Sequence, residues 1–100
     1  MVDPAAAPDG VLDCYVAIPD EELRLQLLPV LRRLRAAGVR CESDLRGRSL
    51  KAMLRQASSL GARTVAIIGP REHAAGVATL RDMASGDQRE VPIDQLAEAL

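Results

Sequence analysis

Thr64-Val65-Ala66-Ile67-Ile68, closed by Gly69-Pro70, is the most strand-like run of the 100-residue chain. An apolar, β-branched run without polar alternation is typical of a strand buried on both faces, as in a parallel sheet. A second run of this kind, Leu12 to Ile18, stops at Pro19. Parallel strands need crossover connections, so the two runs predict an α/β fold with helices between the strands.

The segments between these runs carry helical spacing. Asp20 is a predicted N-cap, and leucines and Val30 recur with a helical period up to Gly38, with a kink expected at Pro29. A short strand over residues 39–43 follows. A second helix is predicted to begin at Ser49 and to end at Gly61, with Leu54 of its apolar stripe and Ile67 of the next strand expected in the core.

The last third of the chain reads as a helical turn, a hairpin and a short helix. Residues 71–75 are predicted to form one helical turn before Gly76. Two strand-like runs, 77–83 and 88–92, flank the turn sequence Ala84-Ser85-Gly86-Asp87, and a short helix is predicted at the carboxyl end. The order β-α-β-α-β-β-β-α predicts a three-layer α/β/α domain whose parallel strands are extended by an antiparallel hairpin.

Composition restricts the class of protein. The formal net charge is −1 and 48% of residues are hydrophobic, which suits one globular domain over residues 12–100 behind a linker or disordered lead-in at residues 1–11. No signal peptide or membrane span is expected, so we expect a cytoplasmic protein. Cys14 and Cys41 have no metal-ligand spacing and are expected to be buried, reduced thiols, with no metal and no cofactor bound.

Charge is strongly segregated along the chain. Residues 1–22 hold six acids and no base, whereas residues 32–63 hold nine bases against Glu42 and Asp44. Basic residues cluster at the start of the second predicted helix, whose N-terminal N–H groups also attract anions. The predicted phosphate-binding residues are Arg46, Arg48, Ser49, Lys51 and Arg55. A solvated helix face is the alternative interpretation of this pattern.

The sequence disfavours catalysis by this chain. His73 is the only histidine and stands in no nucleophile–base arrangement, and the glycine-lysine spacing of a P-loop is missing. The chain has no Phe and no Trp, so a nucleic-acid surface here cannot be a row of aromatic stacking platforms. No catalytic residues are predicted.

Three segments together resemble the C-terminal anticodon-binding domain of class II aminoacyl-tRNA synthetases: residues 44–51 (DLRGRSLK), residues 57–63 (ASSLGAR) and Ile67-Ile68-Gly69. The Gly-Arg-Ser-Leu-Lys run is most similar to the histidyl-tRNA synthetase version. The resemblance implies a five-stranded mixed sheet that grips an anticodon stem and loop beside a catalytic domain. It also implies that Glu72 and Arg81 contact anticodon bases.

The resemblance implies two partners, a histidine-specific tRNA and the catalytic domain of a parent histidine--tRNA ligase. The chain carries none of the catalytic motifs of that class, so it is not expected to charge tRNA by itself. Two alternatives stay open. One is a protein-interaction or regulatory module on the same fold, for which Pro70 and His73 leave room; the other is the equivalent domain of a threonyl-, prolyl- or glycyl-tRNA synthetase.

Overall fold

The computed structural model describes residues 12–43 and 49–100. In chain order its elements are β1 (Leu12–Ala17), α1 (Glu21–Gln26), α2 (Leu28–Ala36), β2 (Cys41–Ser43), α3 (Leu50–Ser59), β3 (Ala62–Ile67), α4 (Pro70–Ala75), β4 (Val77–Asp82), β5 (Gln88–Pro92), a 3-10 turn (Ile93–Gln95) and α5 (Leu96–Ala99). The predicted lead-in at residues 1–11 lies outside the described residues.

The strands form one five-stranded sheet in the order β2-β1-β3-β4-β5. β1 pairs in parallel with β2 and with β3, while β3–β4 and β4–β5 pair antiparallel. This arrangement confirms the predicted mixed sheet, with the hairpin added at one edge. β5 is therefore an edge strand, and β1 and β3 lie at the centre of the fold.

Helices cover both faces of the sheet, which confirms the three layers. On one face α1, α2 and α5 bury a cluster that includes Val16, Leu34 and Leu96. On the other face α3 buries Met53 and Ala57 against Tyr15, Ala17 and Val65 of the central strands. In the described part of the chain, α3 thus forms this second outer layer, and it packs on β1 and β3.

The single kinked helix predicted between Asp20 and Gly38 is wrong in one respect, because the segment forms two helices separated at Leu27. The Asp20 carboxylate caps the first of them, accepting the backbone N–H of Glu22 at 2.8 Å. Pro29 lies in the first turn of α2. A first-turn N–H has no partner inside the helix, so proline starts a new helix here rather than bending an existing one.

Two expected core residues are only partly buried. Leu54 and Ile67 pack against the α3-side cluster from its margin. The fully buried residues of the same helix and strand include Met53 and Val65, each with 0% exposure, as well as Ala57 and Ala66. The prediction located the correct helix and strand, but Leu54 and Ile67 lie one or two positions from fully buried residues.

Both cysteines are free and buried, as predicted. They lie side by side, because Cys14 of β1 pairs with Cys41 of β2 in the parallel register. Burial raises the pKa of the Cys14 thiol from 9.0 to about 11, and it also raises the pKa of Cys41. Since the thiolate is the reactive form, neither side chain is suited to act as a nucleophile near neutral pH.

The raised pKa of Cys14 gives an expected pH dependence of stability. Between pH 9 and about pH 11 the unfolded chain loses the thiol proton while the folded chain keeps it. The free energy of unfolding should therefore fall as pH rises through this window, by about 1.4 kcal/mol per pH unit from this thiol. Urea denaturation of the wild type and of Cys14→Ala measures the difference in slope; equal slopes would contradict the assignment.

Candidate nucleic-acid interface

Helix α3 carries the described part of the predicted phosphate-binding set. Ser49 is its N-cap, with the hydroxyl oxygen accepting the backbone N–H of Ala52 at 3.2 Å. Lys51 and Arg55 are exposed and lie one turn apart, away from the buried Met53. Since the first turn of α3 contains no acidic residue, these side chains add to the positive end of the helix. Arg46 and Arg48 lie outside the described residues.

The N-terminal ends of α3 and α4 lie at the same edge of the sheet. α3 follows the carboxyl end of β2, and α4 follows the carboxyl end of β3 directly. β1, β2 and β3 run parallel, so these ends meet at one edge. In open α/β sheets this is the edge at which ligands usually bind.

Glu72 has a structural role at that edge. Its Oε1 atom accepts the backbone N–H of Gly69 at 2.9 Å, which caps the start of α4. A Cβ atom at residue 69 would lie 2.9 Å from the same oxygen, so glycine is what lets the carboxylate come this close. This cap occupies one of the roughly four acceptor positions of the carboxylate, so acceptors remain for a base, and the predicted base contact remains a prediction.

This cap can be tested apart from any RNA. Glu72→Ala removes the acceptor for the Gly69 N–H and should lower the free energy of unfolding by about 0.5–2 kcal/mol, as for other lost helix caps. Glu72→Gln keeps an acceptor oxygen and should lose less than half of that. Urea denaturation of the three proteins measures both effects, and equal stability of the alanine variant would show that the cap contributes nothing.

Arg81 lies on the α3 side of the sheet, near the carboxyl end of β4 and away from the edge at which α3 and α4 begin. Its neighbours across the strands are Val65 of β3 and Gln88 of β5. The side chain is partly buried, and no described residue forms an ion pair or side-chain hydrogen bond with it. An arginine side chain that pairs with none of these residues has its donors available to a ligand.

The register also places a group of polar residues of β4 and β5 on this side of the sheet. Directly opposed residues of an antiparallel pair point to the same side, so Thr79 and Glu90 share the side of Arg81 and Gln88. Gln88 and Glu90 are exposed, and α3 packs on the other strands. We call these four residues the polar sheet face: Thr79, Arg81, Gln88 and Glu90.

The family resemblance named Arg81, whereas the other three members of the polar sheet face were not predicted. Each is an ordinary polar residue in a strand, and only the strand order and register show that they surround Arg81. The sequence of β5 gives no alternation signal, because residues 88–90 are all polar and exposed and Val91 is the one buried residue of this strand.

Other kinds of site find no support in the described ranges. Among residues 12–43 and 49–100, no group of three or more His, Cys, Asp or Glu side chains is placed to hold a metal ion. Within the same ranges, none of the helices is both long enough and apolar enough to cross a membrane.

Comparison with known families identifies the class of domain. Residues 13–100 match the family described as anticodon binding domain. The chain therefore belongs to the anticodon-binding domain family, with the fold described above.

Two relatives of similar sequence are synthetases of one type. The chain is 43% identical over 89 residues to a histidine--tRNA ligase of Geobacillus thermodenitrificans, covering 89% of this chain and 21% of that protein. It is 40% identical over 97 residues to the histidine--tRNA ligase of Sorangium cellulosum, covering 97% of this chain and 23% of that protein. The domain is thus similar to the anticodon-binding domain of histidyl-tRNA synthetases, and it spans about a fifth of their length.

Solved structures of aminoacyl-tRNA synthetases contain a domain with the same fold. Histidyl-tRNA synthetase from Nostoc sp. PCC 7120 superposes with a TM-score of 0.82 at 34% identity, covering 88% of this chain and 21% of that one. The RNA binding domain of threonyl-tRNA synthetase from Cryptosporidium parvum Iowa II gives a TM-score of 0.79 at 21% identity, covering 88% of this chain and 22% of that one. The second likeness establishes the shared fold alone, so it does not favour the threonyl alternative.

Proposed function

We propose that this domain binds the anticodon stem and loop of a histidine-specific tRNA, as the anticodon-binding part of a histidine--tRNA ligase and without catalysis of its own. The observation that carries the proposal is Arg81 on the polar sheet face, which has no partner within residues 12–43 and 49–100 and lies on the same side of the sheet as the basic helix α3. A charged track beside a surface of hydrogen-bonding side chains is the arrangement that single-stranded RNA recognition requires.

The two surfaces would do different work. Ser49, Lys51 and Arg55 present a hydroxyl and two cations to the phosphates, which position the RNA without reading its sequence. The same role is proposed for Arg46 and Arg48. Arg81 and Glu72 would contact bases: the guanidinium offers a donor fork and a flat stacking surface, and the ionised carboxylate accepts hydrogen bonds from amino or imino groups.

The proposed protein partner is the catalytic domain of the parent ligase. The relatives are about four times as long as this chain, since the 89 matched residues cover 21% of the Geobacillus thermodenitrificans protein. Amino-acid activation and transfer are proposed to belong to the remainder of such a protein. The present domain would supply tRNA selection only.

The phosphate role has a direct test in the salt dependence of binding. Each neutralised phosphate contributes about −0.7 to −0.9 to the slope of log affinity against log salt. Lys51→Ala with Arg55→Ala should therefore flatten the slope for an anticodon stem-loop by about one to two units. Fluorescence anisotropy titrations across a range of salt concentrations measure this slope.

The matched control is Arg32→Ala with Arg33→Ala. These arginines are exposed on α2, on the opposite face of the sheet, and removing them also removes two charges. The slope should stay close to that of the wild type. Equal flattening by both double variants would mean that net charge alone governs binding, and no flattening by the α3 variant would exclude Lys51 and Arg55 from the interface.

A further inference from the structure

Strand β5 adds polar side chains to the polar sheet face that neither the sequence nor the family resemblance pointed to. Gln88 stands directly across from Arg81, and Glu90 stands directly across from Thr79. Opposed residues of this kind have Cβ atoms about 4.5–5.5 Å apart, so one ligand group can touch both members of a pair. On the opposite side of β5, Val91 packs into the core cluster beneath α1, α2 and α5.

Gln88 complements Arg81 chemically. A guanidinium can only donate hydrogen bonds, whereas a glutamine amide both donates and accepts. Together they can satisfy a base edge that presents an acceptor beside a donor. Both side chains are reachable, since Gln88 is exposed and no described residue pairs with Arg81.

Glu90 has the opposite electrostatic effect. It is exposed, and no described residue forms an ion pair or side-chain hydrogen bond with it. An unneutralised carboxylate repels phosphate at this position, while Lys51 and Arg55 attract phosphate on α3. The charges on the two elements therefore favour an RNA whose backbone follows α3 and whose bases face the sheet.

We propose that β5 completes the base-contact surface, with Gln88 hydrogen-bonding a base edge beside Arg81 and Glu90 excluding phosphates from this part of the sheet. The proposal rests on the proposed function, because it names further residues of the same RNA site. It assigns the two residues effects of opposite sign on affinity, which a merely solvated strand would not show.

The test compares a histidine-type anticodon stem-loop with an unrelated hairpin at one salt concentration, using the whole chain. Gln88→Ala should weaken the stem-loop about tenfold and leave the unrelated hairpin unchanged, so the ratio of affinities falls. Glu90→Gln should strengthen both hairpins about threefold, more at low salt than at high salt. Gln26→Ala and Glu21→Gln are the matched controls, as both residues are exposed on α1 across the sheet.

The outcomes separate this proposal from the proposed function. A wild-type ratio of one overturns both. If the wild type discriminates but Gln88→Ala keeps its ratio, or if Glu90→Gln behaves like Glu21→Gln, the proposal for β5 is overturned and the proposed function stands. Matching urea midpoints for all variants, expected at such exposed positions, show that the changes act on binding.

Discussion

Leu34→Ala is expected to lower the free energy of unfolding by about 2–5 kcal/mol. Leu34 is 2% exposed in α2, at the centre of the cluster between the helices and the sheet. Truncation leaves a cavity that the paired central strands cannot close. Small domains are stable by only about 5–15 kcal/mol, so urea denaturation should show a large fall in midpoint and the soluble yield should drop.

The matched control is Leu25→Ala in the neighbouring helix α1. Leu25 is 74% exposed, so the same truncation removes little buried area there. Its midpoint should stay within about 0.5 kcal/mol of the wild type, as for most surface changes. Equal losses at the two positions would mean that the packing between α2 and the sheet is assigned incorrectly.

Most of the architecture could be predicted from the sequence because its signals are local. The apolar runs at β1 and β3, the cap at Asp20 and the turn at Gly86 each fix a short segment through its own chemistry. Pro29 was harder, since a proline within a helical pattern can either bend a helix or begin the next one. The choice depends on tertiary packing, which the hydrophobic period does not encode.

The site could be predicted only in part. A basic helix face is visible in sequence because helical spacing is regular, and Lys51 and Arg55 were found in this way. The polar sheet face depends on which strands are neighbours and on their register, so Gln88 and Glu90 could not be found by spacing. Glu72 and Arg81 are named by the resemblance alone; the geometry shows that Glu72 caps a helix, and both base contacts remain predictions.

Arg81 is where the largest effect on specificity is expected. If its guanidinium contacts a base, Arg81→Ala should weaken a histidine-type anticodon stem-loop by about 1–3 kcal/mol, or about 5- to 150-fold, and barely change an unrelated hairpin. The reason is that phosphate contacts on α3 are common to both RNAs, whereas base contacts are not. Anisotropy titrations of both hairpins at one salt concentration give the ratio of affinities.

The Arg81→Lys variant distinguishes the contribution of positive charge to RNA binding from that of the planar guanidinium group. Lysine keeps the positive charge but lacks the planar donor fork and the stacking surface. If Arg81 reads a base, the lysine variant should retain weak binding to both hairpins and still lose most of the ratio. If Arg81 acts only as a charge beside the RNA backbone, lysine should restore wild-type binding and alanine should weaken both hairpins equally. The second pattern would show that Arg81 on β4 does not contact a base. Lys51 and Arg55 of α3 would then be the main proposed RNA contacts.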